Sequence, residues 1–248
     1  MKRRTLLSAV GAVASLGIAD RTTRAPAEPL VVRIWQTEEA AARPSAQKRA
    51  AGYVRQALEA TGHDVAVSYE EEPLRFDGSD QHVEREAWPK RVVAGVAGAS
   101  AVDPVRDVNL LLTDGAVARP TAGYAFDHIA AVPGARFLAA MPPADESPAV
   151  VDYGVPAAVT QLLVHEVGHA LGLDHGHGSV AVDGDTVTVS PMVSGYAWAP
   201  DELRADQLPA GICRGGAVKA DDRRRRLAMR FSPCAESALR SYRGGLFS

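Results

Sequence analysis

Apolar and polar positions change their period several times along this chain, and each change marks an element. Leu30 to Trp35 (Leu-Val-Val-Arg-Ile-Trp) is a short, mostly apolar run that predicts a first strand. From Ser45 to Thr61 the spacing becomes helical, with Val54 and Leu58 on one face and Gly62 as the stop. Val65, Val67 and Tyr69 alternate with polar or small residues and predict a second strand. Residues 71–82 are acidic and loop-like, and Val92 to Ala97 predicts a second helix with Pro89 near its start. Val108 to Thr113 is nearly continuous in apolar residues and closes on Asp114-Gly115, as a strand buried on both faces should. Two more short strands are expected, one within Gly123–Val132 and one within Ala135–Met141.

Strand and helix therefore alternate, which predicts an α/β fold around a mixed, mostly parallel five-stranded sheet with helices on its faces. A proline-rich, acidic loop from Pro142 to Pro148 leads to a long helix, Val155 to Leu171, striped by Val159, Leu162, Leu163, Val167 and Ala170. Beyond it, Ser179–Val182 and Thr186–Val189 alternate around Asp183-Gly184 and predict a hairpin. Ser190 to Pro200 reads as irregular, and a final helix is opened by Ser232 as cap and Pro233 as first residue. No repeat or linker marks a second independent domain, so residues 28–248 are expected to form one domain, divided at 172/173 into an upper part and a small, irregular C-terminal part ending in a helix.

The first residues change the picture of the compartment. A basic start (Lys2, Arg3, Arg4), an apolar run from Leu6 to Ile18 and the stretch ending Ala25-Pro26-Ala27 follow the order of a cleavable secretory signal, so residues 1–27 are set apart from the fold. Arg3-Arg4-Thr5-Leu6-Leu7 resembles a twin-arginine export signal. Removing this segment takes away five basic residues and one acidic one, moving the formal charge from −3 to −7. With hydrophobic residues at 46% and charged ones at 23% of 248, the remainder can bury a sizeable core. Its one basic run, Arg223 to Arg226, follows Asp221-Asp222 and reads as a solvated helix face, so neither nucleic acid nor, once the signal is gone, a membrane is expected as partner. In an exported protein the two cysteines, Cys213 and Cys234, invite a disulfide pinning the C-terminal end, two buried free thiols being the alternative.

The chemistry is concentrated in His165-Glu166-Val167-Gly168-His169-Ala170-Leu171-Gly172-Leu173-Asp174-His175. Histidines at i and i+4 of a helix project from one face about a turn apart and can share one Zn²⁺. Gly172 stands where a helix that must end sharply needs positive φ, so that the chain can swing His175 back to the same ion. Three histidines with an open fourth position are the set of a catalytic rather than a structural zinc. Glu166, offset by about 100° from its neighbour, would reach a water at the metal as general base without being a ligand. His63, His82 and His128 have no such company and read as surface or internally satisfied residues; His177, two residues beyond His175, reads as a supporting or solvent residue.

This string resembles the signature of the metzincin clan of zinc endopeptidases, and Met192 in Ser190-Pro191-Met192-Val193 resembles that clan's Met-turn. The resemblance implies a zincin-like domain split by a cleft, with the zinc helix above and Met192 as an apolar floor beneath the three histidines. It implies that Gly123, Tyr124 and Ala125 belong to an edge strand pairing with an extended polypeptide substrate. Val193 to Pro200, including Tyr196, would wall the pocket for the side chain after the scissile bond. Phe231-Ser232-Pro233-Cys234 is similar to the adamalysin (reprolysin) branch, whereas Gly176 stands where that branch carries Asp. Tyr196, four residues after Met192, lacks the two-residue spacing of branches with a tyrosine ligand.

The expected function is thus that of a secreted zinc endopeptidase with one catalytic Zn²⁺. A non-catalytic zinc-containing binding protein of the same fold and a hydrolase of non-peptide amides are the competing readings. Glu166 favours the enzyme, because a binding protein needs no carboxylate there. Acidic stretches at Glu70–Glu72 and Asp183–Asp185 offer oxygens that calcium could use, but their pattern does not indicate it and solvated turns account for them. Nothing in the sequence marks an oligomeric state.

Overall fold

A computed structural model describes residues 29–117, 123–193, 213 and 223–245. The expected signal segment, its cleavage point after Ala27, Tyr196 and most of the expected pocket wall lie outside the described residues. Among the described residues no helix is long and apolar enough to cross a membrane.

The elements in chain order are β1 Leu30–Gln36, the short α1 Glu38–Ala41, α2 Ala46–Glu59, β2 Val65–Tyr69, α3 Asp80–His82 running into a π turn Val83–Ala87, α4 Trp88–Val96 and β3 Val108–Leu112. There follow β4 Tyr124–Phe126, β5 Ile129–Val132, α5 Ala135–Ala139, β6 Val150–Asp152, α6 Val155–Ala170, β7 Val180–Asp183, β8 Thr186–Val189, β9 Arg224–Ala228 and α7 Pro233–Arg240. The first five strands form one sheet in the order β2-β1-β3-β5-β4, parallel except for β4, which runs antiparallel to β5. The fold is the mixed, mostly parallel five-stranded α/β arrangement expected from the alternation of patterns.

One strand was expected in the wrong place. Ala135–Met141 is not a strand; Gly134, at φ 84°, starts α5 there, and Ala135 and Leu138 are turned into the core. Ala-Arg-Phe-Leu-Ala lacks β-branched residues and carries good helix formers, so an apolar run too short to show its period was misassigned. The fifth strand comes instead from Gly123–Val132, which folds as a hairpin turning at Asp127 and His128, both at positive φ.

Each face of this sheet carries its own apolar core. On one, α2 and α6 pack against Leu30, Val32, Ile34, Leu110, Leu112, Ala130 and Val132; on the other, Trp88 and Val92 of α4 pack against Trp35, Leu111, Ile129 and Ala131. β3, at the centre, is buried at every position.

The part after α6 is more regular than expected. β6, β9, β8 and β7 build a second, four-stranded sheet, so the run Arg223–Arg226, expected on a helix face, lies at and within a strand between β6 and β8. A strand bears these arginines because Leu227 fills the core while Arg224 pairs with Asp152 at 2.7 Å. The second sheet is tied to α6 by Gln161, whose Nε2 donates to Val189 O and Ala228 O, both at 2.9 Å.

Candidate metal centre

Helix α6 starts after Gly154 with Pro156 in its first turn and is buried on nearly all sides, which fixes the directions of His165, Glu166 and His169. His165 is 7% exposed, and its ring Nδ1 lies 2.6 Å from the Pro191 carbonyl. The Nδ1 of His169 lies 2.8 Å from Leu173 O. A carbonyl can only accept, so both rings carry their proton on Nδ1 and present the Nε2 lone pair. Burial, then the neighbouring His169, pushes the His165 imidazole down to about 3, and burial likewise lowers His169 and His175. All three are therefore neutral, ligand-ready bases at neutral pH.

The helix ends as the glycine demanded. Gly172 has φ 84°, its N–H donates to His169 O, and Leu173 N–H donates to Gly168 O, closing the last turn. The chain reverses into a single 3₁₀ turn, His175–His177, capped by Asp174, whose carboxylate accepts from Gly176 N–H at 2.7 Å. His175 then stands with its Nε2 3.2 Å from His169 Nε2. Donor atoms of His165, His169 and His175 all lie within 4.8 Å of one another, and the ring centroids are 4.4–5.2 Å apart. Zinc bound tetrahedrally at ~2.05 Å would hold its nitrogen ligands about 3.3 Å apart. The residues thus fit the ion: the His169 and His175 Nε2 atoms stand at this spacing, with a third imidazole beside them.

His177 does not join this group. Its Nδ1 accepts from Asp174 N–H at 3.1 Å within the capping turn. His63 contacts Leu239 O at 2.6 Å, His82 lies 3.6 Å from Glu86, and His128 is fully internal with its Nδ1 3.0 Å from Asp107 O. In the acidic stretch Glu70–Glu72, Glu70 lies 3.5 Å from Arg33.

Met192 is completely buried against the underside of α6. A methyl group at Gly168 would fall 2.5 Å from its Sδ, so the helix carries a glycine where the methionine sulfur presses on it. The turn Ser190–Val193 thus does two things: Pro191 O orients His165, and Met192 fills the space beneath.

Glu166, next to the first histidine, is 6% exposed. Burial pushes its carboxyl up to about 8; the Gly123 amide facing it draws it down, and the Glu84 carboxylate pushes it up again. Gly123 immediately precedes β4, and Tyr124 and Ala125 pair with Ala131 and Ala130 of β5, leaving the other side of β4 as a sheet edge among the described residues. Tyr124 is half-buried, which raises its phenol.

Glu84 was absent from the sequence reading. It is 7% exposed on the π turn, accepts from Thr113 Oγ1 at 2.7 Å, and is pushed up to about 7 by burial, against the pull of that hydroxyl and with Asp80 adding to the rise. Its flanking residues Val83 and Trp88 are five apart and bonded backbone to backbone, off the three-to-four spacing that a helical pattern shows.

Cys213 and Cys234 form a disulfide with Cα atoms 5.8 Å apart. Beside it, Ser232 caps α7 and donates from Oγ to His177 O at 2.6 Å, linking the bridged helix to the turn that carries His175.

No family model matches this chain, and no curated protein does. Among solved structures, a zinc-dependent peptidase from Methanocorpusculum labreanum (strain Z) is similar at 16% identity, over 84% of this chain and 99% of that one, with a TM-score of 0.41.

Proposed function

We propose that this chain is an exported zinc-dependent endopeptidase, carried out by the twin-arginine route, that hydrolyses peptide bonds in extended polypeptide. The observation that carries the reading is the convergence of three neutral imidazoles, two with Nδ1 held by backbone carbonyls, beside a buried carboxylate that stands outside the histidine group. His165, His169 and His175 would hold the ion. Zinc, when bound, supplies the Lewis acidity that polarises a carbonyl and makes water a nucleophile near neutral pH.

The remaining roles belong to the chain. Glu166 takes the proton of the attacking water and passes it to the leaving amine. For that it must be ionised, and a dication among the adjacent histidines would lower a carboxyl that burial, with Glu84 adding to it, holds up. The outer edge of β4, unpaired among the described residues, would offer backbone groups to an extended substrate, with Tyr124 and Ala125 along it. The disulfide fits an oxidising compartment, in keeping with export.

Zinc content by mass spectrometry and cleavage of unfolded casein, measured on wild type and Glu166→Ala, test the reading. One zinc in each protein, with cleavage by wild type alone and its abolition by chelator, is the expected result. Zinc binding without cleavage of casein or of a broad peptide library would replace the peptidase with a binding protein or a narrow amide hydrolase.

A further inference from the structure

A glycine is required either by a backbone conformation that other residues resist or by the close approach of another group. Gly123 is of the second kind. Its φ lies outside the left-handed region occupied by Gly62, Gly134 and Gly172. A methyl group on it would lie 2.6 Å from Glu166 Cγ, 2.7 Å from Oε1 and 2.8 Å from Cδ. These distances are all inside van der Waals contact, and all three atoms belong to one side chain.

The two partners differ in how freely they can yield. Gly123 leads directly into β4, whose three residues are registered against Ile129–Ala131 of β5. Glu166 rotates about side-chain bonds. A side chain at position 123 would therefore displace the carboxylate, not the strand. We propose that Gly123 is a positioning residue: its missing side chain lets the start of β4 lie flat on Glu166 and fixes the carboxylate in its working place. The role differs from the substrate pairing expected for Gly123 and rests on the peptidase reading above.

Gly123→Ala tests it in two ways on the full chain. In the zinc-loaded enzyme it lowers kcat about 100-fold, as a misplacement near 1 Å does, with zinc content unchanged and KM within about twofold. Separately, thermal midpoints of chelator-treated wild type, Gly123→Ala, Glu166→Ala and the double variant form a cycle independent of catalysis. Gly123→Ala costs about 3 °C when Glu166 is present and nothing in the Glu166→Ala background. Equal kcat for Gly123→Ala and wild type overturns the proposal, as does an equal thermal loss, or a failure to fold, in both backgrounds. Folding of Gly123→Ala only when Glu166 is truncated supports it. A wild type that holds no zinc and cuts no peptide fails the peptidase reading instead, and leaves the thermal cycle to decide the contact.

Discussion

The two sheets of this molecule share one apolar core but differ in what else secures them, and the candidate metal centre spans both. The five-stranded sheet is covered by apolar cores on both faces, with β3 buried throughout. Its ionic contacts secure connections: Asp114, held by Arg43 and Arg136, fixes the chain after β3. Burial drives that carboxyl up, but the hydrogen bonds from Arg136 and Arg43 outweigh it and hold the group below its usual range. The four-stranded sheet has exposed Val182 on its edge strand, an arginine-rich β9 and a disulfide in the adjoining helix. His165 and His169 ride on α6, packed by the first sheet, whereas His175 sits on a short turn secured by Asp174 and Ser232. The lesson is that two of the candidate ligands are set chiefly by hydrophobic packing and the third by a handful of polar and covalent ties.

The comparison breaks most sharply at the ligands. His169→Ala should abolish activity and weaken zinc binding, because its Nε2 is the atom that meets His175 at 3.2 Å. The far-ultraviolet circular dichroism should stay that of wild type, since α6 is held by its apolar stripe. Loss of helix along with zinc would mean that the metal, not packing, holds the upper region.

Replacing Cys213 and Cys234 by serine should cost about 3 kcal/mol, from the loop entropy of a bridge closing some twenty residues. Amide exchange should locate the loss in β6–β9 and α7, with β1–β5 still protected. Equal loss of protection in both sheets would contradict their separate means of support.

Glu84 sharpens the comparison from the upper side, through pH. Its carboxyl sits at about 7 in the folded chain against an ordinary value of 4.5. The folded state therefore binds the proton more tightly, and the stability this brings is complete below pH 4.5 and lost as pH rises through 7. Glu84→Gln in metal-free protein should flatten that loss, at most about 3 kcal/mol, in denaturant titrations at pH 5 and pH 8. An undiminished slope would place the titrating group elsewhere.

Asp152→Ala should do least. Asp152 and Arg224 are exposed partners on the lower sheet, and solvent screens such pairs. An unchanged thermal midpoint is expected; a marked drop would show that the lower sheet depends on its arginines.

How much of this was legible depended on how local each determinant is. The His165–His175 string carries its own geometry, because i, i+4 spacing and a glycine stop need no knowledge of distant chain. α2, α6, β2 and the β7–β8 hairpin announced themselves by period, and β1 and β3 by nearly continuous apolar runs. The misplaced fifth strand failed because five to seven residues around Phe137 are too few to separate helical from strand spacing. β9 was hidden because arginines alternate with nothing apolar until Leu227, and its strand state comes from neighbours distant in the sequence. Glu84 and the contact of Gly123 with Glu166 were invisible for the same reason: both are made by the sheet bringing separate segments together.

X-ray absorption at the zinc edge of the purified wild-type protein tests the three-histidine centre most directly. The expected spectrum has a four-coordinate first shell of nitrogen and oxygen near ~2.0 Å with outer scattering from three imidazole rings. His175→Ala should lose one ring and keep two. A sulfur shell, a six-oxygen shell, or a spectrum unchanged by His175→Ala would contradict the centre assigned to His165, His169 and His175.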